Sequence, residues 1–302
     1  MTLYFTHDDC ARHETPRGHP ESPDRIVALN DHLAQCGLLQ EVETRTPGLA
    51  DFADIARVHD QELVDLLVAS VPATGLVRID ADTAFSPGSL NAVRRSVGAV
   101  CEGVAAVLGD EAKRAFCGVR PPGHHAESQS SMGFCIFNSI AVGAAMALDS
   151  LARVAILDFD AHHGNGTVEI FQDEPRVLVC STFQYPFYPY RYQEIERANI
   201  VNAPLAAGAG SRQFRQAVEQ QWEPAIEAHR PELFLISAGF DGHTDDPLTQ
   251  LGFSDDDYRW ITQQITAWAG RFAQGRVVSA LEGGYDLKAL KRCGELHLAN
   301  LL

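Results

Sequence analysis

The sequence predicts an α/β fold over residues 1–302, a single domain with a mostly parallel central sheet flanked by helices on both faces. Three observations carry this reading. Five apolar runs lack polar alternation, as strands covered on both faces do. Helical patterns separate most of them, and strand alternating with helix gives a parallel sheet between helical layers. Polar, glycine-punctuated segments follow all five runs, where open α/β sheets bind their ligands.

The predicted strands are Ala115–Arg120, Val154–Asp160, Arg176–Ser181, Glu232–Ser237 and Arg276–Leu281. Ser89–Leu108 has apolar residues at helical spacing and precedes the first strand. Phe137–Leu151, rich in Ala, Val, Met and Leu, is the next helix. Arg212–His229 follows Ser211, read as its N-cap. Ser254 and Asp257 form a capping-box pattern that opens a helix to about Ala273, with Gly275 just beyond. The first 85 residues are less regular, with helices near Asp24–Cys36 and Gln61–Ser70 and long polar loops.

Composition narrows the function. A chain of 302 residues, 45% hydrophobic, can bury a large core. The formal charge of −16 argues against non-specific nucleic-acid binding, which needs a basic surface. It leaves room for a cationic ligand or a basic peptide. No apolar run is long enough to cross a membrane, and the N-terminus lacks the basic and apolar regions of a signal peptide. The seven cysteines (Cys10, Cys36, Cys101, Cys117, Cys135, Cys180 and Cys293) are scattered, with no CxxC pair. A reducing, cytoplasmic setting is the expectation.

The most informative stretch is Val154–Thr167, an apolar strand delivering Asp158, Asp160, His162 and His163 into a glycine-rich turn. Residues two apart on a strand point the same way. Two carboxylates and an imidazole crowded in a low-dielectric place need a compensating cation or proton. Asp160, His162 and, from the fourth strand's end, Asp241 are the expected metal ligands; two oxygens and one nitrogen with an open fourth position suit a catalytic Zn²⁺. His124 and His125 follow Pro121-Pro122-Gly123, and one imidazole can serve as general base and then acid. Tyr285, after Gly283-Gly284, can donate to a developing oxyanion. Asp158 and Asn165 are candidate partners that fix the imidazole tautomers.

Several segments together resemble the zinc-dependent histone deacetylase superfamily: RPPGHHA (Arg120–Ala126), GFCIFN (Gly133–Asn138), DFDAHHGNGT (Asp158–Thr167), SAGFDGHTDDPL (Ser237–Leu248) and LEGGYDL (Leu281–Leu287). HPESPDR (His19–Arg25) resembles its N-terminal loop motif and DTAFSPGS (Asp82–Ser89) a further loop that borders the pocket, and EGGY and GNG are similar to class II members such as the bacterial histone deacetylase-like amidohydrolases. The resemblance implies an arginase-like fold, one Zn²⁺ on Asp160, His162 and Asp241, and hydrolysis of N-acetylated amines. It implies tandem histidines at His124 and His125 and an oxyanion tyrosine at Tyr285. It also implies an acyl-lysine tunnel bordered by Gly133, Phe134 and Tyr188, with Asp82 on a bordering loop and Leu248 at the rim. A structural K⁺ is implied on Asp158, Asp160, His162, Ser181 and Thr182, partly through backbone oxygens. Two departures, Phe183 in place of a common histidine and YPYRY (Tyr188–Tyr192), lie at the pocket wall.

The expected substrate is an acylated lysine peptide or a small acylated amine, with a homo-oligomer possible. Three rivals stand beside it: an acetylpolyamine amidohydrolase, a binuclear Mn²⁺ ureohydrolase, and a non-catalytic acyl-lysine binder. Gly164 follows Asp160-Ala161-His162-His163 where ureohydrolases carry a bridging Asp, which argues for one catalytic metal.

Overall fold

A computed structural model describes residues 1–302. In chain order its elements are β1 (Thr2–Phe5), α1 (Asp24–Gln35), β2 (Glu43–Arg45), α2 (Phe52–Ile55), α3 (Gln61–Ala69), β3 (Val77–Arg78), β4 (Ala84–Phe85), α4 (Ser89–Leu108), β5 (Arg114–Cys117) and α5 (Ser139–Ala147). They continue with β6 (Val154–Asp158), α6 (Asn165–Phe171), β7 (Val177–Gln184), β8 (Ile200–Leu205), α7 (Ser211–Ala217), α8 (Glu223–His229), β9 (Phe234–Ala238), α9 (Asp255–Phe272), β10 (Val277–Leu281) and α10 (Leu287–Asn300).

One eight-stranded sheet, in the order β2-β1-β5-β10-β9-β6-β7-β8, forms the centre, and every pairing within it is parallel. A small antiparallel pair, β3–β4, stands apart. Both faces are covered, as adjacent residues of β10 show. Gly103 of α4 sits so close to Val278 that a methyl group there would lie 3.1 Å from it. The next residue, Ser279, hydrogen-bonds His297 of α10 at 2.8 Å. Successive strand residues point to opposite faces, so α4 and α10 lie on opposite sides. The core is one continuous cluster of buried apolar side chains. No helix is long and apolar enough to cross a membrane, and all seven cysteines are free.

The five predicted strands are the contiguous inner five, β5-β10-β9-β6-β7. Three more strands extend the sheet. β1 is short and runs at once into His7-Asp8-Asp9; β2 is an exposed Glu-Thr-Arg; β8 contains Asn202 and Pro204. β1 offers only Leu3-Tyr4-Phe5, β2 and β8 lack an uninterrupted apolar run, and a proline is tolerated on an edge strand. The first inner strand ends at Cys117, not Arg120, whereas β7 runs on past Ser181 to Gln184.

The α4 bounds match the prediction, and α9 opens as expected, with the Asp257 carboxylate accepting from the Ser254 N–H at 2.9 Å. The predicted Phe137–Leu151 helix is shorter, because Asn138 caps it by accepting from the Ala141 N–H at 3.0 Å. The predicted Arg212–His229 helix is three pieces, with a wide π turn over Val218–Trp222 between α7 and α8. Pro224 supplies no N–H to the preceding turn, which accounts for the register break. Gly210 takes the N-cap expected of Ser211, whose hydroxyl donates to Asp257 at 2.5 Å.

Candidate active site

Because the sheet is parallel, the ends of β5, β6, β7, β9 and β10 open at one edge and bring their polar segments together. β6 ends at Asp158, level with Ser181 of β7 and Ser237 of β9.

Asp160, His162 and Asp241 converge there, all buried. His162 Nδ1 lies 2.7 Å from Asp241 Oδ2 and 3.1 Å from Asp160 Oδ1. The other two carboxylate oxygens are occupied: Asp160 Oδ2 accepts from the Gly283 N–H at 2.8 Å and Asp241 Oδ1 from the Ala161 N–H at 2.8 Å. One nitrogen and two oxygens are left facing each other, with donor atoms within 4.8 Å. Burial opposes charge on His162, but Asp241 and Asp160 override it and lift its pKa to about 10. Burial and the neighbouring Asp160 push Asp241 up to about 7. Without a cation His162 holds a proton against the buried carboxylate of Asp160, which its imidazole neighbours keep ionised, and a divalent ion would release that proton. The donor set therefore fits Zn²⁺. Gly283 is required by this packing, since a Cβ there would lie 2.6 Å from an oxygen of each carboxylate.

Beside the cluster, the tandem imidazoles are in ring contact, centroids 4.0 Å apart. Their Nδ1 atoms face different partners. His124 Nδ1 lies 2.9 Å from Asp158 Oδ2, and His125 Nδ1 lies 2.7 Å from Asn165 Oδ1. Their basicities separate accordingly. Burial disfavours the charged form of His124, but Asp158, Asp160 and Glu282 outweigh it and hold the ring protonated. Burial, then His124 and His162, hold His125 neutral. His163 belongs elsewhere: Nε2 meets Asn202 at 2.9 Å and the ring packs on the fully buried Phe183.

Tyr285 lies under the Arg25 guanidinium, 4.9 Å from its ring centre, and its ring meets Phe134 edge-on at 5.9 Å. Burial raises the phenol's pKa well above 10, with Asp241 and Asp160 adding to it, so the hydroxyl stays a donor at neutral pH. Asp246 steadies the segment by accepting from the Tyr285 N–H at 2.7 Å. Gly133 has φ +57°, and a Cβ there would lie 2.5 Å from the His125 ring and 3.0 Å from the Tyr188 hydroxyl. Tyr188 meets His125 edge-on at 5.3 Å. Half-buried Leu248 donates its N–H to Asp246. Asp82 is half-buried, and its carboxylate accepts from Thr83, whose hydroxyl in turn accepts from the Phe134 N–H. The Asp82–Thr83 segment thus meets Phe134, and Gly133 packs between His125 and Tyr188.

Residues 19–301 match the family model of the histone deacetylase domain. The chain belongs to the histone deacetylase family. It is 36% identical over 286 residues to the histone deacetylase-like amidohydrolase of Pseudomonas aeruginosa, covering 92% of this chain and 75% of that protein. It is 33% identical over 355 residues to type-2 histone deacetylase 2 of Dictyostelium discoideum, spanning all of this chain but only 21% of that protein. A crystal structure of the HDA15 HD domain superposes with a TM-score of 0.94 at 29% identity, covering all of this chain and 88% of that one. These likenesses establish the family and the fold expected from the motifs.

Four supporting residues of this deacetylase-family site carried no assigned role in the sequence reading. Arg25 and Arg120 are fully buried around Glu21: Arg120 Nη2 donates to Glu21 Oε2 at 2.6 Å and Arg25 Nη1 to Glu21 Oε1 at 3.2 Å. Arg25 also donates to the Gly284 carbonyl at 2.7 Å and to that of Glu282, bracing the turn that carries Tyr285. The Glu282 carboxylate accepts from the Gly123 N–H at 2.7 Å and the His124 N–H at 3.2 Å, tying the tandem histidines to the same turn. The available signal was their place inside the motifs HPESPDR, RPPGHHA and LEGGYDL.

Proposed function

We propose that this chain is a zinc-dependent deacylase that hydrolyses the amide of N-acetyl-lysine, or a related N-acylated amine, to acetate and the free amine. The observation that carries the reading is the convergence of Asp160, His162 and Asp241 beside two imidazoles with different partners. A bound zinc ion supplies Lewis acidity at the acyl carbonyl and lowers the pKa of water. His125, neutral and bonded through Nδ1, presents Nε2 to take a proton from the attacking water and return it to the leaving nitrogen. His124, held charged by Asp158, stabilises developing negative charge. Two like groups with opposed environments thus divide base and electrostatic duty. The Tyr285 hydroxyl donates to the oxyanion. Phe134 and Tyr188 flank the apolar stem of the substrate, and Asp82 stands on a loop that borders the pocket.

A structural K⁺ is part of the same proposal. Asp158 and the turn to His162 adjoin Ser181 and Thr182 on β7. The Ser181 and Thr182 hydroxyl oxygens are buried without a hydrogen-bond partner. Such oxygens, with the carboxylate and backbone carbonyls beside them, fit a hard monovalent cation. The single Asp160–His162–Asp241 donor set favours one divalent ion over the binuclear ureohydrolase arrangement. At the rim, Leu248 offers no carboxylate to a polyamine, which favours acyl-lysine as the substrate.

The experiment is a panel of acetyl-lysine peptides, acetylspermidine and small acylated amides, assayed with and without a zinc chelator. Chelator-sensitive acetate release, fastest with the lysine peptides, is expected. Turnover confined to acetylspermidine would move the assignment to a polyamine amidohydrolase. Absence of any turnover would leave an acyl-lysine binder.

A further inference from the structure

The hydrogen-bond chain behind His125 does not stop at Asn165. Asn165 Nδ2 donates to Glu127 Oε1 at 2.7 Å, and it also faces the His125 carbonyl at 3.3 Å and the Met132 sulfur at 3.4 Å. All three are acceptors only. Turning the amide over would set its oxygen against a carboxylate, a carbonyl and a thioether. Asn165 Oδ1 is thereby fixed toward His125 Nδ1, which can only be satisfied if that nitrogen carries the hydrogen. Nε2, the atom facing the reaction, is then left with its lone pair.

Glu127 is buried, with 4% of its surface exposed. Its outer oxygen, Oε2, is held by Arg191 Nη2 at 2.9 Å and by the Ser130 hydroxyl at 3.2 Å. The guanidinium, a donor only, requires an oxygen at that position. A carboxylate presents an oxygen to both sides at once, and an amide cannot. Arg191 lies in the Tyr188–Tyr192 segment, the same segment that departs from the family pattern.

We propose that Glu127 is a positioning residue that sets the tautomer of His125 through the Asn165 amide, with Arg191 holding its outer oxygen. This rests on the reading of His125 as the general base. In Glu127→Gln, the Arg191 charge claims the one remaining oxygen, the new NH₂ faces Asn165, and the Asn165 amide turns over. His125 then meets an N–H at Nδ1 and places its own hydrogen on Nε2, where it cannot accept a proton.

The test uses zinc-loaded enzyme labelled with ¹⁵N-histidine and long-range ¹H–¹⁵N correlation, with the His125 signal assigned by its loss in His125→Gln. The unaltered enzyme is expected to show hydrogen on Nδ1. Glu127→Gln is expected to move it to Nε2 and to lower kcat about 10- to 100-fold, as partners of this kind do, with KM little changed and zinc content intact. In Glu127→Gln/Asn165→Asp the new carboxylate accepts from both neighbours. That variant is expected to recover most of the lost kcat, with the acidic limb of its pH profile moved to higher pH, because a carboxylate partner makes His125 more basic. Hydrogen on Nε2 in the unaltered enzyme would overturn the proposal, even if the variants fail to fold. So would Glu127→Gln turnover within twofold of the unaltered enzyme, or a double variant no faster than the single one. Failure of the functional reading looks different: no acyl substrate turns over, while the tautomer of His125 remains readable.

Discussion

Tyr285→Phe is expected to cut kcat by about 100- to 1,000-fold, the usual cost of removing one oxyanion donor, while zinc stays at one per chain. The substitution removes a single oxygen. It leaves the ring contacts with Arg25 and Phe134 and the Tyr285 N–H bond to Asp246 in place. None of the three proposed metal ligands is touched. The loss should fall on kcat and kcat/KM together, since the phenol's bond strengthens only as negative charge develops on the acyl oxygen. Steady-state kinetics with metal analysis on the same preparation measures both halves. Unchanged kcat would remove Tyr285 from the chemistry.

Glu21→Gln is expected to be the most damaging substitution outside the catalytic groups. Glu21, Arg25 and Arg120 are all fully buried. Removing one partner of a buried ion pair leaves charge with nothing to offset it, at about 3–5 kcal/mol. Here two guanidinium groups would share the loss, and one of them braces the Tyr285 turn, so activity should fall with stability. A pH signature accompanies it. Burial pushes the Glu21 carboxyl up, but Arg120, with His13 and Arg25, overrides it and holds the pKa at about 2 against an ordinary 4.5. A folded-state pKa below the unfolded one contributes stability above pH 4.5 that is lost as pH falls toward 2. Denaturant melts of the unaltered protein should therefore weaken across that window, and Glu21→Gln should show a shallower decline from a lower starting point. A melt within 1 kcal/mol (~1 kcal/mol being the scale of an exposed pair) would show the network to be worth no more than a surface contact.

The inner sheet was legible because strands covered on both faces must be apolar throughout, and the presence of β5, β6, β7, β9 and β10 follows from those runs; their order in the sheet does not. The edges were not, because β2 and β8 carry the polar and proline residues that edge positions tolerate. At the site, Asp160, His162, Asp241, His124, His125 and Tyr285 stood out as residues chemically out of place at strand ends. Their supports did not. Glu127 follows Ala126 as one more acidic residue in an acidic chain, and nothing in its spacing says that it meets Asn165. Arg25 lies more than 250 residues from Gly284 in sequence, and their hydrogen bond exists only in the folded chain. Gly283-Gly284 allows close backbone approach, and the fold uses it: the Gly283 N–H and missing Cβ seat two carboxylates.

The most direct test of the central claim is zinc titration into chelator-stripped enzyme while following hydrolysis of an acetyl-lysine peptide. Turnover should rise linearly and stop rising at one zinc per chain, and Asp241→Ala should show neither the binding nor the rise. Full turnover in the stripped enzyme, or a rise that continues to two metal ions per chain, would contradict it.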